Sequence, residues 1–417
     1  MLNFDNSFYN LDKKFFEEVN PSKMPNPKLV QINAKLAKHL KIDPSWLKSE
    51  DGIDSFSGRI IPKGSNPISM VYAGHQFGNW VPRLGDGRAI LLGETIDKNN
   101  CRWDVQIKGG GRTPFSRNGD GRATIGPVLR EYLISEYVNK LKIPSTRALS
   151  AIITGEKIRR ETSLPGAILT RVSKSHIRVG TFQYFSSLGD IESIRSLTNY
   201  IISRHYKNIS NDKNLYKNFL SKVINRQAKL ISKWMSIGFI HGVMNTDNTS
   251  IIGDTIDYGP CAFMDYYEPQ IVYSSIDTFG RYSFKNQPQI CHWNLCQLAS
   301  SILPLLDKNE KIAIKIAQNE IDKFPIIYKN FWIKEMKRKL FLKTETNLDE
   351  ILLIDLLDIM NKEKLDYTLT FKYLEHSIIE NKSELNKIKH LFLHSKNLKK
   401  WMNSFKLRLE EENRFKP

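Results

Sequence analysis

The chain has 417 residues, of which 41% are hydrophobic, and its 62 Lys and Arg against 44 Asp and Glu give a net charge of +18. This length and apolar content predict a large core divided into two or three lobes. The positive charge is spread along the chain without a basic block, so we expect neither a nucleic-acid nor a membrane partner. No segment approaches the roughly 18 consecutive apolar residues that a membrane-spanning helix requires.

The cysteines and the N-terminus indicate a cellular compartment. None of the cysteines forms the Cys-x-x-Cys pair typical of zinc sites, and in a chain of this length reduced thiols of a cytoplasmic protein are expected. The first ten residues lack the apolar run of a signal peptide. We therefore expect a cytoplasmic protein, and we expect it to be a monomer. The cysteines are Cys101, Cys261, Cys291 and Cys296.

The first candidate binding element is a glycine-containing loop before a predicted strand at Ala89–Glu94. Gly85 and Gly87 allow tight turns that present backbone amides to an anion. Arg88 adds a positive charge with a forked set of donors. The loop is thus a candidate nucleotide-phosphate loop, although an ordinary hairpin turn has the same composition.

The next predicted strand, Trp103–Lys108, alternates in polarity and ends at a lysine followed by three glycines. Protein kinases place their phosphate-contacting lysine at the end of an early strand. The following loop, Arg112–Arg122, concentrates glycines, hydroxyls and arginines next to Lys108. It could close over a polyphosphate, whereas the alternative for Lys108 itself is a solvated lysine at a strand edge.

A helix is predicted from about Ile125 to Leu141 because apolar residues recur there at helical spacing. Glu131 is the candidate partner for Lys108, as in the lysine–glutamate ion pair of kinases. Glu136 is the competing candidate, and a solvated helix face would account for both glutamates.

Residues 143–172 are predicted to form two or three strands, and helical patterns dominate from about residue 190 onward. Arg171 and Arg178 carry guanidinium groups suited to bidentate phosphate contacts, although two arginines alone indicate little. We predict an α+β chain with a protein-kinase-like bilobal fold. An N-terminal extension and strand-rich N-lobe would occupy residues 1–185, and a mainly helical C-lobe residues 186–417.

The segment that begins at His241 resembles a kinase catalytic loop, which reads His-x-Asp-x-x-x-x-Asn. Counting from His241 places the asparagine at Asn248, but the catalytic aspartate would fall on Val243. Valine cannot accept a proton, and Asp247 is the only carboxylate left in the loop. The alternative is a polar turn between a helix and a hairpin.

Two apolar runs flank a turn at Gly253-Asp254, which predicts a small hairpin with Asn248 before it and Asp257 after it. Such a hairpin would bring an amide oxygen and a carboxylate together. These are the hard ligands of a magnesium ion that also binds substrate phosphates. Kinases use the same pairing of a loop asparagine with the aspartate of an Asp-Phe-Gly motif.

Several long motifs occur in order and together resemble the selenoprotein O family: YAGHQFGNWVPRLGDGRA, DVQIKGGGRTPFSRNGDGRA, RRETSLPGAILTRV, HGVMNTDN, DYGP and FGRYSFKNQPQICHWNL. The resemblance implies a kinase-like fold that transfers AMP, rather than phosphate, to Ser, Thr or Tyr hydroxyls of proteins. It implies ATP bound in a flipped orientation with Mg²⁺ or Mn²⁺. An ordinary protein kinase and an ATP-binding pseudokinase scaffold remain the alternatives.

Carried over motif by motif, the resemblance assigns a role to each candidate residue. Asp247 would accept the proton of the hydroxyl, and Asn248 and Asp257 would bind the metal. Family members usually continue further, often with a selenocysteine or cysteine near the end, whereas this chain stops at Pro417. Redox control through such a group is therefore not expected. The implied ATP contacts are Gly85, Gly87, Arg88, Lys108, Asp120, Gly121, Arg171, Arg178 and Asp257.

Overall fold

The computed structural model describes residues 2–378, 382–392 and 395–412. The strands of the described residues, in chain order, are β1 (Phe16–Glu18), β2 (Lys28–Ile32), β3 (Ile68–Met70), β4 (Gly74–Gln76), β5 (Asn79–Val81), β6 (Ala89–Ile96), β7 (Arg102–Lys108), β8 (Ala123–Thr124), β9 (Arg147–Arg159), β10 (Ser163–Ser173), β11 (Phe239–Ile240) and β12 (Ala262–Phe263).

The α-helices of the described residues are α1 (Ala34–His39), α2 (Pro44–Lys48), α3 (Glu50–Ser57), α4 (Ile125–Lys140), α5 (Val179–Ser187), α6 (Ile191–His205), α7 (Leu215–Ser236), α8 (Gln287–Ser301), α9 (Leu303–Leu306), α10 (Glu310–Ile321), α11 (Phe324–Lys339), α12 (Asp349–Lys362), α13 (Tyr367–Ile378), α14 (Lys382–Ile388) and α15 (Lys396–Glu410). Among the described residues no helix combines the length and apolar character needed to cross a membrane.

The main sheet has the order β1-β3-β6-β7-β10-β9-β2, and β8 also pairs with β10. Neighbouring strands of this sheet are antiparallel. The strands predicted at 89–94 and 103–108 are confirmed within β6 and β7. Lys108 ends β7 with Ala89 of β6 opposite it on one side and Leu169 of β10 on the other. The candidate lysine therefore lies in the middle of the sheet, not at its edge.

Two apolar clusters cover the sheet, because successive side chains of a strand point to opposite faces. Leu36 and Phe56, from the N-terminal helices, pack in one cluster with Val105 of β7. In the other, Val128 and Tyr132 of α4 pack with small and apolar residues of β9 and β10. Each fully buried large apolar side chain contributes about 1.5–3 kcal/mol, so these contacts fix α4 and its glutamates on the sheet.

The chain forms two compact units. The first comprises Met1–Arg226, Asn245–Gly259 and Trp293–Ile321, and the second comprises Gln227–Met244, Pro260–His292 and Asp322–Pro417. The predicted fold class is confirmed, since the sheet is N-terminal and the C-terminal part is mainly helical, consistent with a kinase-like fold. A domain boundary at residue 185 stays a prediction. All candidate site residues lie in the first unit.

The hairpin predicted between Asn248 and Asp257 is wrong. Within this segment Ser250 forms an isolated bridge with Arg178, and Thr255 forms one with Ser145. The two apolar runs therefore pair with other parts of the first unit rather than with each other. Tertiary pairing replaced a local pairing that the turn residues alone had favoured.

Candidate active site

Asp257 lies at the centre of a cluster of positive side chains. Its Oδ1 accepts hydrogen bonds from Lys108 Nζ at 2.7 Å and from Arg171 Nη1 at 2.5 Å. Its Oδ2 accepts one from Arg178 Nη1 at 2.9 Å. Asp257 also has a φ of +62°, a left-handed conformation that is strained for a residue with a side chain. Such strain is often retained where a functional group must point in one direction.

Burial and charge act in opposite directions on the Asp257 carboxylate. Burial disfavours the ionised form, but the attraction of Arg171, Lys108 and Arg178 outweighs it and holds the pKa of Asp257 well below its usual range. Asp257 therefore carries its negative charge throughout the neutral pH range. A permanently ionised carboxylate is suited to bind a cation and unsuited to accept a proton.

Both arginines are held in place by buried polar groups. Arg171, only 1% exposed, donates from Nε and Nη2 to Gln106 Oε1 at 3.1 and 2.6 Å. The Arg178 guanidinium lies 4.6 Å from the centre of the Tyr72 ring and donates to Asp86 Oδ1 at 3.5 Å. Guanidinium groups fixed in this way need little reorganisation to stabilise a developing negative charge.

Lys108 pairs with the first of the two candidate glutamates. Its Nζ lies 2.7 Å from Glu131 Oε2 on α4, the same distance as from the Asp257 carboxylate. Glu136 accepts two hydrogen bonds from Arg147 at 2.8 Å instead. The lysine is therefore oriented by two carboxylates, while Glu136 belongs to a separate contact between α4 and β9.

The first glycine loop packs closely against Phe115 of the second. At Gly85, which has a φ of +64°, a β-carbon would lie 2.1 Å from the Phe115 ring, and at Gly87 it would lie 2.8 Å from the Phe115 carbonyl oxygen. Thr113 also donates to the Asp86 carbonyl oxygen at 2.8 Å. The glycines thus let the two loops meet, and the side chain of Arg88 is exposed.

The second glycine loop directs its acidic side chain to an arginine. Asp120 accepts hydrogen bonds from Arg160 at 2.7 and 3.0 Å and from the Arg122 backbone N–H at 2.9 Å. Gly121 has a φ of +68°, and a β-carbon there would lie 2.0 Å from the Gly111 carbonyl oxygen. Asp120 and Gly121 hold the turn of this loop, and the Asp120 side chain does not join the Asp257 cluster.

The surroundings of Asp247 differ from those of Asp257. It is 7% exposed, and its Oδ2 accepts one hydrogen bond, from Gln76 Nε2 at 3.3 Å. Its Oδ1 is buried without a hydrogen-bond partner among the described residues. Burial raises the pKa of Asp247 to about 6, although Arg178 opposes the shift. A carboxylate in this state is ionised near neutral pH and can accept a proton.

Asn248 ends a single 3₁₀ turn, Thr246–Asn248, directly after Asp247. Its backbone N–H donates to the Asn245 carbonyl oxygen at 3.0 Å. In the described ranges no group of three or more His, Cys, Asp or Glu side chains could hold a metal ion. Asn248 and the ionised Asp257 carry one amide and one carboxylate, a donor set that fits Mg²⁺ or Mn²⁺ binding shared with phosphates.

Four residues that the site uses were not predicted from the sequence: Tyr72, Gln76, Asp86 and Gln106. Two of them carried a signal. Asp86 stands between the two glycines of the first loop, and Gln106 is a polar residue inside a strand that is buried in the sheet. Buried polar side chains need hydrogen-bond partners, so both positions called for a polar neighbour. Nothing in the sequence identified that neighbour.

The chain has a fold of the protein-kinase-like class. A lysine at the end of a strand in an antiparallel sheet pairs with a glutamate on a helix, and a mainly helical part follows. The family described as Protein adenylyltransferase SelO matches residues 1–416. The chain therefore belongs to the SelO family of protein adenylyltransferases and is a nucleotidyltransferase.

Relatives named Protein nucleotidyltransferase YdiU are similar over most of their length. The protein from Bacillus cereus (strain ATCC 10987 / NRS 248) is 49% identical over 414 residues, covering 99% of this chain and 83% of the relative. That from Bradyrhizobium sp. (strain ORS 278) is 48% identical over 409 residues, covering 98% and 83%. That from Clostridium botulinum (strain Okra / Type B1) is 52% identical over 391 residues, covering 93% and 79%.

Proposed function

We propose that this protein transfers AMP from ATP to a Ser, Thr or Tyr hydroxyl of a protein substrate and releases pyrophosphate. The hydroxyl oxygen bonds to the α-phosphorus, and the bond from that phosphorus to the oxygen shared with the β-phosphate breaks. The observation that carries this proposal is the convergence of Lys108, Arg171 and Arg178 on one carboxylate. A cytoplasmic location, which rests on the sequence alone, and a monomeric state belong to the same proposal.

The three cations suit the leaving group of this reaction. Pyrophosphate gains negative charge as the bond to the α-phosphorus breaks, and fixed cations stabilise that charge in the transition state. In our proposal the β- and γ-phosphates take over hydrogen bonds that Asp257 accepts from Lys108, Arg171 and Arg178 in the absence of nucleotide. Glu131 and Gln106 keep the lysine and Arg171 oriented during this exchange.

Asn248 and Asp257 would hold a Mg²⁺ or Mn²⁺ ion that accompanies ATP. When bound, the ion neutralises phosphate charge and orients the phosphate chain. Hydrogen bonds released to the phosphates would leave the Asp257 oxygens available for this ligation. The backbone of Gly85 and Gly87, and the second loop at Asp120 and Gly121, would contact other parts of the nucleotide. Arg88, exposed in the structure, would add a further contact.

Asp247 is the proposed general base. A pKa of about 6 leaves its carboxylate ionised at neutral pH but basic enough to take the hydroxyl proton as the bond to phosphorus forms. Its Oδ1 has no hydrogen-bond partner among the described residues, so its lone pairs are uncommitted and could accept that proton.

An isotope label on either the α- or the γ-phosphate of ATP shows which group is transferred. Protein is incubated with heat-treated cell extract as acceptor and with ATP labelled at the α- or the γ-phosphate. We expect label from the α-position to be retained on protein. Retention of γ-label would show a phosphorylating kinase, and retention of neither would favour a nucleotide-binding scaffold. Asp257→Ala serves as the inactive control.

A further inference from the structure

The hairpin of β4 and β5 covers the Asp247 carboxylate with one of its faces. Gly74 and Gln76 are two positions apart on β4, so both are directed to the same face. A β-carbon at Gly74 would lie 2.7 Å from Asp247 Oδ1. Gln76 Nε2 donates to Oδ2 at 3.3 Å. The absence of a side chain at Gly74 thus lets β4 lie close to the first oxygen, and Gln76 holds the second.

Backbone hydrogen bonds anchor β4 to the residues just before Asp247. The N–H of His75 donates to Thr246 Oγ1 at 2.8 Å, and the N–H of Phe77 donates to Asn245 Oδ1 at 3.1 Å. With the Gln76 contact, three successive hairpin residues bind three successive loop residues. This register determines which side chain reaches the carboxylate, because a shift by one residue would turn Gln76 to the opposite face.

The opposite face of the hairpin is packed in aromatic contacts. The His75 ring lies 5.0 Å from the Trp80 ring and 5.1 Å from the Trp293 ring, measured between ring centres. Gln183 Nε2 lies 2.9 Å from His75 Nδ1. These contacts make the hairpin a rigid support, so Gln76 is presented to Asp247 from a fixed position.

We propose that Gln76 is a positioning residue for the transfer reaction, a role that rests on the proposed function of Asp247 as base. By holding Oδ2, Gln76 sets the rotation of the carboxylate and so the direction in which Oδ1 meets the incoming hydroxyl, while Gly74 lets β4 lie close to Oδ1 without a clash. The terminal torsion of an aspartate is broad, so without this amide the carboxylate samples other orientations. Misorientation of a reacting group lowers the rate without removing any reacting atom.

A double-mutant cycle tests this role. The rate of α-label transfer to heat-treated cell extract is measured for wild type, Gln76→Met, Asp247→Ala and the double variant, with incubations long enough to quantify the slowest. We expect Gln76→Met to lower the rate roughly tenfold in the wild-type protein and less than twofold when Asp247 is already absent. The ATP concentration for half-maximal rate should change less than twofold.

Gln183→Met is the matched control, since it removes a side-chain amide of α5 that contacts His75 on the other face of the hairpin. Its effect should be the same factor with and without Asp247. Gly74→Ala gives an independent arm that leaves Gln76 intact. Its methyl group would lie 2.7 Å from Oδ1 and 3.1 Å from Asp247 Cβ, so most of its loss of rate should disappear in the Asp247→Ala protein, which keeps only the Cβ.

Each failure points to a different assumption. Absence of α-label on protein with the wild type would overturn the proposed function. A fully active Asp247→Ala would remove Asp247 as base. If both hold but Gln76→Met loses the same factor in the two backgrounds, as Gln183→Met does, Gln76 is merely structural and the positioning role is wrong. Thermal unfolding of each variant identifies a loss of fold, and in that case the Gly74→Ala arm decides.

Discussion

Asp247 is buried and Asp257 partly buried in one short segment, and the surroundings of their carboxylates differ sharply. Asp257 accepts hydrogen bonds from a lysine and two arginines. Asp247 accepts one from the amide of Gln76 and keeps one oxygen without a partner among the described residues. The pKa of Asp257 is accordingly held well below its usual range, whereas burial raises that of Asp247 to about 6.

This difference shows how one segment can hold two carboxylates for two tasks. A group surrounded by cations stays ionised and can bind metal and phosphate partners, while a group that is buried with few partners can take up a proton. Pairs of carboxylates whose environments separate their pKa values are a common basis for acid–base chemistry at neutral pH. Substitutions of each carboxylate and of its partners test this division of roles.

The largest effect is expected from Asp257→Ala. The variant removes the carboxylate that Lys108 shares with the buried Arg171 and Arg178, so AMP transfer should fall below detection. Loss of one partner from a buried ion pair costs roughly 3–5 kcal/mol, and the free energy of unfolding in urea should fall by about that amount. Unchanged transfer by the purified variant would exclude Asp257 from the site.

Lys108→Ala should lower transfer by roughly 10²- to 10³-fold, the range observed when one charge-stabilising donor is removed. Cooperative unfolding should persist, because Arg171 and Arg178 still neutralise Asp257.

Two matched glutamate variants on α4 test how Lys108 is oriented. Glu131→Gln should also reduce transfer, whereas Glu136→Gln should not, since Glu136 pairs with Arg147 instead. Equal losses from the two glutamate variants would contradict a role for the Lys108–Glu131 pair in orienting the lysine.

Asp247→Ala should lower transfer by on the order of a hundredfold, as expected for a lost general base. Binding of ATP should weaken less, because Asn248 and Asp257 are still present. Adding Val243→Asp, at the position where kinases carry their base, should not restore activity if ATP is bound in the flipped orientation that the family implies. The assay uses both labels. Recovery of γ-label transfer in the double variant would show ATP bound as in an ordinary kinase.

The smallest effect is one on stability. The pKa of Asp247 rises on folding from its ordinary value of 3.8 to about 6, so the contribution of Asp247 to stability is most favourable at low pH, where this group is protonated in the folded and the unfolded state, and is lost as the pH rises from 3.8 to about 6. Asp247→Asn escapes this cost. Without nucleotide or divalent cation, its free energy of unfolding should exceed that of the wild type by about 1 kcal/mol at pH 4.5 and by about 3 kcal/mol at pH 7.5. A difference independent of pH would contradict the raised pKa.

Features that depend on neighbouring residues followed from the sequence. The strand that ends at Lys108 was visible in its alternation, and α4 was visible in its helical spacing, because both periods are local properties of the backbone. The register from His241 to Asn248 pointed to Asp247 by elimination of Val243, without any structural information. The ordered motifs identified the family, and with it the kind of group transferred.

Tertiary structure decided which side chains meet. Arg171 and Arg178 looked ordinary in the sequence, yet the register of β10 against β7 and the bridge at Ser250 bring both to Asp257. The choice of Glu131 over Glu136 depends on which face of α4 packs on the sheet. Likewise, only the anchoring of β4 brings Gln76 to Asp247. Such meetings depend on pairings between distant segments, and one sequence contains no local pattern that specifies them.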